Sequence, residues 1–111
     1  MEQRYEKFIT SKQEPLRLAI ALEDGFLTPN EAHRAAYLAY LLRRLRPAAA
    51  ELTKREDTQA LEQLFALSPF SPALIDELIS LAAKEQRSAA LVWLLQKKQR
   101  VHGFTPRSYL L

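Results

Sequence analysis

Thr28-Pro29-Asn30-Glu31-Ala32-His33-Arg34-Ala35-Ala36-Tyr37-Leu38-Ala39-Tyr40-Leu41-Leu42-Arg43-Arg44-Leu45 is the stretch on which the fold turns. The Thr28 hydroxyl suits the capping of orphan amides, and Pro29 suits a first helical position, where its missing N–H has no partner in any case. Glu31 can return a bond to the cap. Behind this start, Leu38, Leu41, Leu42 and Leu45 with Ala35, Tyr37 and Tyr40 form an apolar face wider than one neighbour requires. The pattern predicts a long helix with a central place in a bundle. Pro47 ends or kinks it, because the ring removes a donor and clashes with the preceding turn.

Working toward the N-terminus, Gly25 stops an earlier helix, as a residue that accepts positive φ at a C-terminus. That helix begins at Ser11 and Glu14, which have capping-box spacing, tolerates Pro15 in its first turn, and buries Leu16, Ala19, Ile20 and Leu22. Tyr5, Phe8 and Ile9 ahead of it stand at helical spacing, in a short helix or an arm laid over the core.

Toward the C-terminus, Ala48 to Arg55 reads as a helix, Asp57-Thr58 as a break and cap, and Ala60 to Leu67 as a helix burying Leu61, Leu64, Phe65 and Leu67. Ser71 caps the next helix with Pro72 at its first position, and Leu74, Ile75, Leu78, Ile79 and Leu81 face its core. Lys84 to Arg87 turns. Ser88 caps a last helix through Leu91, Val92, Trp93, Leu94 and Leu95 that ends near Gly103. The tail from Phe104 to Leu111 carries Phe104, Tyr109, Leu110 and Leu111, too apolar for a solvated end, so it packs back or binds something.

Composition agrees. The chain has 111 residues, 48% of them apolar, with 2 Gly and few Val or Ile among many Ala, Leu, Glu, Gln, Lys and Arg. The expectation is an all-α protein: one domain over residues 1–111, a compact bundle of five or six short helices, its C-terminal part arranged as stacked antiparallel helical hairpins.

Setting Leu61 over Leu91 aligns Lys54-Arg55-Glu56-Asp57-Thr58-Gln59-Ala60 with Lys84-Glu85-Gln86-Arg87-Ser88-Ala89-Ala90, and Leu64 then lies over Leu94. The period of about thirty residues falls where stacked helical hairpins occur. Leu81-Ala82-Ala83-Lys84, a short polar turn, then Leu91 and Leu94-Leu95 are similar to the inner helix, turn and outer helix of an ankyrin repeat, and Ser71-Pro72 resembles the Thr-Pro that opens ankyrin helices. The resemblance is degenerate: Gln86 stands where the family has a turn glycine, and the hairpin between repeats is missing. It implies a protein-interaction module with no chemistry of its own.

No catalytic centre is legible. Zero cysteines remove disulfides, thiolate ligands and cysteine nucleophiles, and two glycines cannot build a phosphate cradle. His33 and His102 lack companions at ligand spacing, so neither a metal nor a cofactor is expected. Asp76-Glu77 and Glu56-Asp57 are adjacent pairs that splay apart on a helix. No N-terminal secretory signal and no membrane span is read, and the expected setting is the cytoplasm.

The formal charge of +3 is unevenly placed. Ala32 to Ala50 carries Arg34, Arg43, Arg44 and Arg46 with one acid-free run, and Gln86 onward carries Arg87, Lys97, Lys98, Arg100 and Arg107 with no acid. Such clusters face an anionic partner or pair with carboxylates of neighbouring helices. Arg34, Arg43, Arg44, Arg46, Lys97, Lys98, Arg100 and Arg107 are therefore the candidate partner-binding residues. A protein partner is the first reading. Nucleic acid, held by non-specific phosphate contacts, is the second, because a helix-turn-helix reading from Leu74 to Arg100 fails at a second helix with almost no polar side chain for base edges. Trp93, Tyr37 and Tyr40 stand among leucines at core spacing, and the oligomeric state is open.

Overall fold

Among the described residues helix follows helix, and several of the breaks carry a capping or turn signal. The computed structural model describes residues 2–102. Among them are α1 (Glu2–Thr10), α2 (Glu14–Asp24), α3 (Glu31–Arg43), α4 (Leu45–Lys54), α5 (Thr58–Leu67), α6 (Pro72–Lys84), α7 (Ser88–Lys97) and a π-helical end (Lys98–His102), with no strand. The all-α class holds, with one or two more helices than the apolar pattern predicts. Arg107 and the apolar tail from Phe104 to Leu111 lie outside the described residues. The chain divides into two compact units, Met1–Ala48 and Ala49–Leu111, with α4 running across the boundary.

In the first unit α2 packs against α1 and α3. Its core is aromatic: Phe8, Tyr37 and Tyr40 are buried, with ring centroids 4.8 Å apart for Phe8 and Tyr37 and 5.2 Å for Phe8 and Tyr40. The opening segment is thus a helix rather than an arm, anchored by Phe8, while Ile9 stays exposed. Tyr5 stacks on His33 at 3.7 Å. Arg4 donates to Asp24 and to Glu23, each at 2.7 Å, which gives the buried Asp24 carboxylate a partner.

Several helix ends differ from the sequence reading in place or in cause. The long helix starts at Glu31, with Asn30 as its cap accepting from the His33 amide at 3.0 Å; Thr28 is buried one turn earlier and its hydroxyl accepts from the Asn30 amide at 3.2 Å. Asn is as good a cap as Thr, and here it stands nearer the apolar run. The long helix also breaks at Arg44 (φ −118°, ψ 38°), three residues before Pro47. A continuous helix would aim the Pro47 ring at the Arg43 carbonyl. Starting α4 at Leu45 instead puts Pro47 in a first turn, where no N–H is needed. The buried side of α3 is narrower than expected: Tyr37, Tyr40 and Leu41 are buried, but Leu42 is 41% exposed.

Ser11 does not cap α2; its hydroxyl accepts from the Gln13 amide, and Gln13 holds the cap position without a side-chain bond. Gly25 closes α2 in the right-handed region (φ −61°), so positive φ is not its reason. A Cβ there would lie 2.5 Å from the Ala21 carbonyl oxygen and 3.2 Å from the Tyr37 Cβ. Glycine is required first by the close approach of the Ala21 carbonyl of α2 itself, with Tyr37 of α3 also near.

The second unit carries two helix–turn–helix hairpins, α4–α5 and α6–α7; α6 packs on α7, and α5 meets α7. Asp57 and Ser71 cap as the sequence predicts, accepting from Ala60 at 3.0 Å and Leu74 at 3.1 Å. Leu52, Leu61, Leu64, Phe70, Ile75, Leu78 and Leu94 are buried, and Leu67 is exposed at the end of α5. Thr53, also buried, returns its hydroxyl proton to the Ala49 carbonyl.

Candidate functional site

The eight basic candidates divide between the units, and most of those described already have partners. In the first, Arg34 donates to the Thr28 carbonyl at 2.7 Å, holding the loop before α3, and Arg44 reaches Glu14 at 3.3 Å. Arg43 and Arg46 are exposed on either side of the break. In the second, Lys97 pairs with Glu62 at 2.7 Å and lies over the Phe65 and Trp93 rings at 4.9 and 5.6 Å. Lys98 pairs with Asp76 at 2.8 Å, and Arg100 is exposed. A phosphate would have to displace a carboxylate from Arg44, Lys97 or Lys98, which weakens the electrostatic footprint of both clusters.

The first unit holds a cavity of about 360 Å³ lined by Glu14, Pro15, Leu18, Tyr40, Arg44 and Pro47. Its walls are apolar and its rim is charged. The Tyr40 hydroxyl donates to Glu14 at 2.5 Å, and Arg17 approaches the same carboxylate at 3.4 Å while lying 4.8 Å over the Tyr40 ring. The Tyr40 hydrogen bond, helped by Arg44, holds the Glu14 carboxyl below its usual range; burial and then Glu14 push the Tyr40 hydroxyl up. At neutral pH the carboxylate stays ionised and the phenol protonated. The recess thus sets an apolar wall beside an ion-paired, hydrogen-bonded rim. Sequence reasoning missed it, because Glu14 read as a cap and its partners stand 26 and 30 residues away.

The second unit repeats one turn. Glu56 and Gln86, thirty positions apart, both adopt left-handed φ, 55° and 58°. At the first, the Asp57 amide bonds the Leu52 carbonyl and the Glu56 amide bonds Thr53; at the second, Arg87 bonds Ala82 and Gln86 bonds Ala83. This is the Schellman closure of a helix end, made here without glycine. The first turn passes straight into a capped helix because Asp57 is also the cap of α5. Arg87 stands in the equivalent place before α7 and makes no capping bond. Ser88, the expected cap, is the first helical residue; the carboxylate of Glu56 accepts from the Ala89 amide at 2.9 Å instead. One hairpin thus caps the next.

The contact continues along α5. Glu62 accepts from the Trp93 indole at 3.1 Å and from Lys97, and these donors hold its carboxyl below its usual range, Lys97 first. Phe65 meets Trp93 edge-on at 6.0 Å. Trp93 is therefore a half-buried packing residue with a satisfied N–H, as its spacing among leucines predicts. On the other side of α7, Val92 is 54% and Leu95 42% exposed.

Among the described residues no group of three or more His, Cys, Asp or Glu could hold a metal ion, and no helix is long and apolar enough to cross a membrane. No protein-family model matches the chain, and no curated protein or solved structure matches it.

Proposed function

We propose that this chain is a non-catalytic protein-interaction module, an adaptor, inhibitor or subunit, that engages a protein partner through a basic and apolar helical surface in its C-terminal hairpins. One observation carries the reading: Val92 and Leu95, one turn apart, stand in solvent on α7, in a stretch from Gln86 to Arg100 that contains no acid. A single exposed aliphatic residue is ordinary; two on one face of a helix bordered by cations have the make-up of an interface patch.

Capture from lysate of the native organism, after nuclease treatment, tests it. The wild-type chain is expected to retain a defined protein, and the double variant Val92→Gln, Leu95→Gln to lose it. Retention by both forms moves the interface elsewhere. The exposed Arg43 and Arg100 favour the second reading, nucleic-acid association. Titration of a labelled duplex and a labelled single strand at two salt concentrations checks it: steeply salt-dependent binding replaces the protein partner with a polyanion, and no binding at low salt removes that alternative.

A further inference from the structure

Three side chains of the first hairpin receive the second: Glu56 caps α7, Glu62 binds Trp93 and Lys97, and Phe65 packs on Trp93. Thirty positions later, in the register fixed by the two left-handed turns, stand Gln86, Val92 and Leu95. All three are exposed. In a stack of helical hairpins each unit contacts only its neighbours, and a terminal unit normally closes with a polar outer face. Here the outer face of α7 is more apolar than the one α5 offers, since Val92 replaces Glu62. Its borders are cationic, with Arg87 exposed at the head of α7 and Arg100 just past its end.

We infer that the outer face of α7 is a docking site for an acidic amphipathic helix of a partner protein, which lies on Val92 and Leu95 as α7 lies on Glu62 and Phe65. The inference rests on the proposed interaction function and names its surface and the chemistry of its partner. Charge selects the occupant. No acid stands between Gln86 and Arg100, so a helix flanked by Glu gains where one flanked by Lys is repelled. An apolar residue in the incoming helix meets Val92 where Lys97 meets Glu62. Gln86, in the conformation from which Glu56 caps Ala89, faces the first turn of the newcomer and can accept from its amides through its side-chain carbonyl.

The test uses the full chain and a labelled helical peptide with Trp and Leu four residues apart on one face and Glu on the others, beside the same peptide with Lys for Glu. Fluorescence anisotropy is expected to show saturable binding of the Glu peptide, at least tenfold weaker binding of the Lys peptide, and at least tenfold loss for Val92→Gln, Leu95→Gln. Arg87→Glu with Arg100→Glu should reverse the peptide preference. Circular dichroism melts confirm that these exposed substitutions leave the helices intact. No saturation up to about 1 mM peptide, or equal binding of both peptides, overturns the inference. A benzophenone residue in place of Val92, irradiated without peptide, tests the other occupants: crosslinks to residues 103–111 or to a second copy of the chain overturn it. If nuclease-resistant capture of a protein persists while the Glu peptide fails, the interaction function stands and this inference falls.

Discussion

Both units are bridged by side-chain pairs distant in sequence, but the first gathers them around an aromatic cluster, whereas the second also repeats one local turn. Arg4 reaches across 20 residues to Asp24, and Glu14 across 26 to Tyr40 and 30 to Arg44. In the hairpins, Leu52 to Asp57 and Ala82 to Arg87 close the same backbone ring with different side chains. Backbone bonds can impose a turn on residues that do not favour it, provided that the flanking helices pack; a left-handed residue other than glycine then costs about 1–2 kcal/mol. The aromatic cluster has no such redundancy, since each ring is fitted to the others.

The largest effects should come from the two cores. Tyr37→Ala is expected to lower stability by about 4 kcal/mol and Leu64→Ala by about 3 kcal/mol in urea melts, since both side chains are fully enclosed. Tyrosine near-UV signal reports on the first unit, and fluorescence of Trp93, the chain's one tryptophan, on the second. Next comes Gly25→Ala. The added methyl meets the Ala21 carbonyl and Tyr37, and a loss of about 2 kcal/mol is expected; a neutral result would break the claim that close approach selects this glycine.

The two turns should respond in opposite directions. Glu56→Ala removes the cap of α7 and should cost about 1 kcal/mol. Gln86→Gly relieves left-handed strain with no such cap to lose and should raise stability by about 0.5 kcal/mol after the greater chain entropy of glycine. Equal responses at both would show that Glu56 does not hold α7. The smallest effect is in acid. Glu14 and Glu62 are held below their ordinary range in the folded chain, so their contribution is present above the unfolded carboxyl pKa, about 4.5, and is lost as pH falls through the lower folded value. Glu62→Gln should flatten the fall in melting temperature below about pH 4.5, modestly, because the group is largely exposed.

What the sequence made legible divides local signals from distant pairs. The starts of α5 and α6 were readable because Asp57, Ser71 and Pro72 act on amides two or three residues away. The break at Arg44 was misplaced to Pro47 because a proline forbids helix in the turn before it, not at its own position. The Glu14 network, the cap that Glu56 gives Ala89 and the pairing of Lys97 and Lys98 were hidden: each joins residues at least 22 positions apart, and nothing local marks which carboxylate will meet which cation. The repeat itself was visible in Leu61 and Leu91, but its left-handed turns fell on Glu56 and Gln86, where composition argues against them.

Pro47 has a consequence for how two such chains could entangle. Exchange of segments between copies commonly proceeds through an opened form in which a connector straightens and two helices fuse into one rod. Fusing α3 to α4 would bury the proline ring in a helix interior, at a penalty of about 3 kcal/mol or more, with the Arg43 carbonyl left unbonded. The joint at Arg44 thereby resists straightening, and domain swapping through this connector is disfavoured by a single covalent ring.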